Sequence, residues 1–157
     1  MELNVTIVER GPIVLIGREG YGDSARGSQW IQPLWQDLQT HICEAAQVVK
    51  HKADGRPAGL WGAMSDAARR YLPWENDGLY LAGFEADENA STPSGWNRWI
   101  LPAFRYAVVQ CTPQTYGVIF QQMIIHYLPE HGWNLEGAVQ EYYPDDRMEL
   151  YFPIAKL

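Results

Sequence analysis

Two carboxylates stand in stretches that otherwise read as apolar β-strand. Glu141 sits in Gln140-Glu141-Tyr142, with Val139 on its face of an alternating strand. Glu85 shares one face of a strand over residues 78–87 with Leu79 and Leu81. A charged carboxylate flanked by apolar and aromatic side chains is costly to bury unless it is paired or protonated. Two chemistries would use such a group. A lipophilic cation could be its partner, or it could act as general acid or base on a reactive substrate. The competing readings are solvent exposure or a local backbone bond at Glu141, and an ion pair or hydrogen bond between two halves at Glu85. Aromatic side chains are the second unusual supply, 13% of the chain with seven Trp and nine Tyr. Trp35, Trp61, Trp96, Trp99, Tyr80, Phe84 and Tyr106 are candidate walls of a cavity and equally candidates for plain core. A cation over such a ring gains roughly 0.5–2 kcal/mol. In an enzyme, Glu141 or Glu85 would activate water or protonate a strained ring, with Tyr106 or Tyr142 as hydrogen-bond donor.

The other reactive residue types carry little. His41, His51, His126 and His131 form no HxxxH, HxH or Cys/His spacing, so no metal site is expected. No CxxCH offers a haem attachment, and no GxGxxG or GxxxxGK[ST] cradles a phosphate, so no cofactor is expected. Cys43 and Cys111 read as packing thiols. Ser24 and Ser65-Asp66 lack a GxSxG context.

The elements that must position these residues follow from periodicity. A first strand is expected over residues 5–17, punctuated by Gly11-Pro12, with Ile13 to Ile16 apolar on both faces. A Gly/Ser loop over 17–28 precedes a helix over 28–49. Its apolar face holds Ile31, Leu34, Trp35, Leu38, Ile42, Ala45 and Val49, with Pro33 in its first turn. Strands over 59–64 and 78–87 flank an irregular connection, and 88–95 reads as a boundary loop. The second half repeats the order. A strand over 103–111 leads to a Thr112-Pro113 helix start. The helix places Tyr116, Ile119, Phe120, Met123 and Tyr127 on one face and stops at Pro129. Strands over 138–143 and 147–154 close the chain, with Pro153 confining the last to an edge or terminus. The expected fold is α+β: two strand–helix–strand–strand modules with pseudo-twofold symmetry, helices on one side of an antiparallel sheet, and a central ligand cavity. One domain spans 1–157, with half-modules near 1–88 and 96–157.

At 157 residues the chain suits one domain, and its net charge of −7 disfavours nucleic acid and anionic membrane as partners. No apolar run reaches about 18 residues, and residues 1–10 lack the features of a signal peptide. Two cysteines are too few for a disulfide scaffold, so a cytoplasmic location is expected. Loop tryptophans and unpaired edge strands would permit a dimer, so the expected state is monomer or homodimer.

An ordered set of short strings carries a resemblance. It comprises Pro33-Leu34-Trp35, Leu60-Trp61-Gly62 with Met64-Ser65-Asp66, and Tyr80-Leu81-Ala82-Gly83-Phe84-Glu85. Then follow Leu101-Pro102-Ala103, Tyr106-Ala107-Val108, Tyr127-Leu128-Pro129 with Gly132-Trp133, Glu141-Tyr142 and Pro153-Ile154. From about Val5 to Lys156 the chain resembles the GyrI-like family, the effector-binding domain attached to AraC-type and MerR-type multidrug regulators and also found alone. The resemblance implies paired modules around a central cavity and a bulky, apolar, often cationic ligand, with Glu141 in the place of the family's buried acid. It also implies two alternatives: a metal-independent hydrolase of cyclopropane-containing electrophiles, or an inhibitor of DNA gyrase acting through a protein surface. No helix-turn-helix is read within the 157 residues, so a stand-alone effector module is expected, its protein partner gyrase or a regulator if it has one.

Overall fold

The computed structural model describes residues 3–157. In chain order the elements are β1 (Val5–Arg10), β2 (Ile13–Asp23), α1 (Gly27–His41), β3 (Leu60–Ser65), β4 (Asp77–Glu85), β5 (Asn97–Leu101), β6 (Phe104–Cys111), α2 (Tyr116–Gln122), β7 (Gln140–Tyr143) and β8 (Met148–Lys156). A 3-10 stretch, Ile42–Val48, follows α1, and α2 runs through a π-helical turn, Met123–Tyr127, to Leu128–Glu130.

All strand pairs are antiparallel, in one sheet of order β1-β6-β8-β7-β3-β4-β2-β5. Exchanging each strand with the one four places away in the chain reverses this order onto itself. A pseudo-twofold axis therefore passes between β7 and β3, and the two-module α+β fold expected from the sequence is present. Each half also carries a leading strand: in the first half β1 and β2 replace the single strand expected over 5–17, and in the second half β5 stands where no strand was expected. Pro12 breaks the expected first strand: Arg10 pairs with Phe104 across β1·β6, while Ile13 pairs with Leu101 across β2·β5. The chain thus crosses from one end of the sheet to the other at two places, and the sheet coils.

Side-chain alternation gives the sheet two buried faces. Leu15, Trp61, Leu81, Tyr106 and Tyr151 fill the inner face of the coil. On the outer face, α1 covers Val14, Ile16, Ala82 and Phe84, and α2 covers Val109, Leu150 and Phe152.

Several expected boundaries move, each for a packing reason. Residues 17–23 are strand, not loop, pairing through to Asp23↔Asp77. Gly20 and Gly22 lie directly beneath Leu34 and Trp30, where a Cβ would collide, so these glycines serve helix approach and not turning. Helix α1 begins at Gly27 and ends at His41, with Pro33 inside it. Thr112 and Thr115 bond each other reciprocally in a turn, and α2 starts only at Tyr116. That helix passes Pro129. Pro153 lies in an internal strand, opposite Tyr106 at a register shift and beyond the reach of β7, so no ladder bond is lost to it. Among the described residues, no helix is long and apolar enough to cross a membrane.

Candidate functional site

Leu60, Gly62 and Met64 of β3 and Glu141 and Tyr143 of β7 face the helices across the pseudo-twofold axis. There, between α1 and α2, a cleft opens. On the α1 side a cavity of about 450 Å³ is lined by Ile31, Gln32, Trp35, Leu60, Tyr80, Glu141, Tyr143 and Asp145. On the α2 side an apolar hollow of about 410 Å³ is lined by residues including Met64, Trp74, Tyr116, Phe120, Leu135 and Val139. Such volumes suit small-molecule ligands.

The half-buried Glu141 sits on the cleft floor, and three tyrosines surround its carboxylate. Tyr80 and Tyr143 donate to Oε1 at 2.6 and 2.9 Å, and Tyr116 donates to Oε2 at 3.0 Å. Trp35 Nε1 donates in turn to the Tyr80 hydroxyl at 3.1 Å. The Trp35 ring stands edge-on to Tyr143, with centroids 5.5 Å apart. Burial pushes the Glu141 carboxyl above its ordinary range; the Tyr80, Tyr143 and Tyr116 hydroxyls pull it back without cancelling the rise. Burial, then the Glu141 charge, raises the Tyr80, Tyr116 and Tyr143 phenols, so all three remain donors. No cationic side chain among the described residues forms an ion pair with Glu141. Asp145 at the cavity wall differs: hydrogen bonds from Arg147 hold its carboxyl low, at about 2.

Register explains the assembly. Gly62 is the Cα partner of Glu141, and Met64 is that of Tyr80. The absent side chain at Gly62 leaves the space that the Glu141 carboxylate and Tyr80 hydroxyl occupy.

Of the candidates read from the sequence, Glu141, Tyr80 and Trp35 meet here. The others are core. Trp61 is fully buried in the inner cluster, as are Trp99 and Tyr106. Phe84 and Trp96 pack together beneath α1. Glu85 is no second cleft acid. It is 5% exposed on the opposite face of the sheet, bonded by Arg10 at 3.3 and 3.4 Å and by Trp61 Nε1 at 2.9 Å. Glu85 is in an ion pair, as the alternative reading had it, but with Arg10 of the same half-module and not between the two halves. Tyr142 points away from Glu141, donating to the Ala58 carbonyl at 2.7 Å and packing on Trp61. Truncating Glu85→Ala strands the Arg10 charge and the Trp61 donor; stability should fall by about 2–3 kcal/mol. Chemical denaturation measures this loss, and affinity in the cleft should stay unchanged.

Tyr116 and Tyr143 escaped the sequence reading, although each carried a signal. Tyr143 is two residues from Glu141 and so on its face. Tyr116 stands on the apolar face of its helix, where a buried hydroxyl needs a polar partner.

No protein-family model matches the chain. By sequence it is similar to the transcriptional regulator BrlR of Pseudomonas aeruginosa, 30% identical over 164 residues. That match covers 97% of this chain and 56% of the regulator, so the chain spans about half the length of the curated relative it matches. By structure it is similar to SAV2435 bound to tetraphenylphosphonium, with TM-score 0.65 at 16% identity, covering 98% of this chain and 94% of that one. The EcmrR C-terminal domain gives TM-score 0.64 at 13% identity, with both chains covered completely at 100%. These structural likenesses establish the fold, and together with the regulator they fit the effector-domain resemblance in the sequence.

Proposed function

We propose that the chain is a small-molecule effector-binding domain of the multidrug-regulator type, sensing or sequestering bulky lipophilic cations in the cleft between α1 and α2. The observation that carries this reading is Glu141, an acid on an aromatic cleft floor with no cationic side chain paired to it among the described residues. A lipophilic cation supplies the missing charge and covers the apolar walls. The tetraphenylphosphonium bound to one structural neighbour and the regulator role in the name of the sequence relative support the same class. One carboxylate attraction, contacts with the Trp35, Tyr80 and Tyr143 rings, and apolar burial are together compatible with micromolar affinity, about −8 kcal/mol. The binding reading is preferred to hydrolysis because the residues read from the sequence as a catalytic set are not assembled: Glu85 and Tyr106 lie across the sheet from Glu141, and Tyr142 points away from it.

A tryptophan-fluorescence titration with tetraphenylphosphonium and the neutral triphenylphosphine oxide, each mixture then examined by mass spectrometry, tests this. Saturable quenching by the intact cation, weaker for the neutral compound, is expected. Equal response to both, or none to either, would overturn the reading.

Proton competition gives a second test. The ionised Glu141 is the binding form, and its carboxyl lies above the ordinary range because it is buried. Affinity for the cation should therefore fall as pH drops through that raised value, at a higher pH than for an exposed carboxylate near about 4.3. Stability of the free protein runs the other way. The folded state holds this proton more tightly than the unfolded chain, so the Glu141 contribution is most favourable at low pH and is lost as pH rises through the raised value. Affinity unchanged down to about pH 4 would contradict the assignment.

A further inference from the structure

A second concavity, of about 420 Å³, shares no residue with the cleft. It lies where β1 crosses to β2, beside the end of β4 and the edge strand β5. Three cationic side chains line it: Arg10, Lys50 and Arg98. Two carboxylates line it as well, Glu85 and Glu88. Glu85 is already engaged by Arg10 and by Trp61 Nε1.

The cations are not saturated. Arg10 meets Glu85 at 3.3 and 3.4 Å, longer than the roughly 2.7–2.9 Å of a tight charge-assisted bond. A guanidinium has about five N–H donors, more than Glu85 takes up. Arg98 donates to the Glu88 carbonyl at 2.9 Å, which aims the guanidinium without neutralising it. Neither Arg98 nor Lys50 forms an ion pair among the described residues. In a chain of net charge −7, cations gathered around one hollow without full acidic pairing are conspicuous. Ile13 and Ile100 add apolar surface to the same wall. With Glu85 taken up by Arg10, Lys50 and Arg98 face the single carboxylate of Glu88, which leaves the wall positive by one charge and favours a counter-ion.

We propose that this concavity is a second ligand site, for a small organic oxyanion with an apolar body. The carboxylate or phosphate-monoester head lies between Arg98 and Lys50, within reach of the remaining Arg10 donors. The body rests on Ile13 and Ile100. The volume admits a small aromatic acid and falls within the usual range for ligand sites, about 300–1,000 Å³. The two sites take opposite charges, and this one stands independently of the function proposed for the cleft.

The test is a nitrogen-15 NMR titration of the whole chain with phenyl phosphate, benzoate and neutral benzyl alcohol. Saturable shifts are expected at the amides of Ile13, Val14, Ala86 and Ile100 with one or both acids and not with the alcohol. The stronger acid identifies the headgroup. The double variant Lys50→Gln, Arg98→Gln should weaken that binding about tenfold or more and leave tetraphenylphosphonium affinity unchanged. Both side chains are exposed, so the variant is expected to fold. Sodium chloride raised from about 50 to 500 mM gives the same reading without mutation, weakening the acid by screening. No saturable shift up to about 10 mM, shifts confined to other residues, or affinity indifferent both to the double variant and to salt would overturn the proposal.

Discussion

Glu141→Gln is expected to lower affinity for tetraphenylphosphonium about 100-fold while leaving triphenylphosphine oxide within about threefold. Gln has the same shape: its amide oxygen still accepts from Tyr80 and Tyr143, and its NH2 donates to the Tyr116 hydroxyl in place of accepting from it, so loss of the charge is the principal change. Two unit charges about 4 Å apart attract by about 4 kcal/mol at an effective dielectric constant of about 20. Water entering from the open mouth weakens this, and 100-fold corresponds to about 2.7 kcal/mol. Stability should change by about 1 kcal/mol or less, because losing charged hydrogen bonds is offset by relief from burying a charge. The binding measurement is the fluorescence titration repeated on the variant, with a thermal melt to establish folding. Equal loss for the neutral analogue would point to a shape defect. Unchanged cation affinity would remove Glu141 from the site.

Gly62→Ala should be the most damaging single methyl on the cleft floor. Adding a side chain to a strand glycine normally stabilises by roughly 0.5–1 kcal/mol. Here the new Cβ meets the Tyr80 hydroxyl and Glu141 Oε1 at distances no real contact allows. Both atoms are tied into one network with Tyr143, Tyr116 and Trp35, so neither moves alone. The expected outcome is a loss of about 2–3 kcal/mol and a fall in Tm of roughly 5–10 °C. Affinity for the cation should drop about tenfold or more as the carboxylate is displaced. A Tm equal to or above that of the parent would show that the floor rearranges freely, contrary to the packed network.

The expected repeat of strand, helix, strand and strand is present because each element's period is local. Alternation in residues 78–85 sorts Tyr80, Ala82 and Phe84 from Leu79, Leu81 and Glu85, and the structure keeps that division. Local rules erred where a residue has two uses. Gly20 and Gly22 read as loop formers, yet they thin the strand for Trp30 and Leu34. Pro33 reads as a first-turn residue, yet α1 accommodates it further in. Neither use is visible without the partner element.

What the sequence by itself determined is that an acid at Glu141 would be expensive to bury among its neighbours, and that aromatic side chains exceed ordinary needs. Both follow from residue type and spacing alone. Which aromatics meet that acid was decided by tertiary structure. Tyr80, Tyr116 and Tyr143 come from β4, α2 and β7, and only the β3 register and the pseudo-twofold axis bring their hydroxyls to one carboxylate. The same register turns Glu85, Trp61 and Tyr106 to the opposite face, because side chains one position apart on a strand point to opposite sides. An alternating strand reveals that it has two faces; long-range pairing alone assigns one to the helices and the other to the interior of the coil.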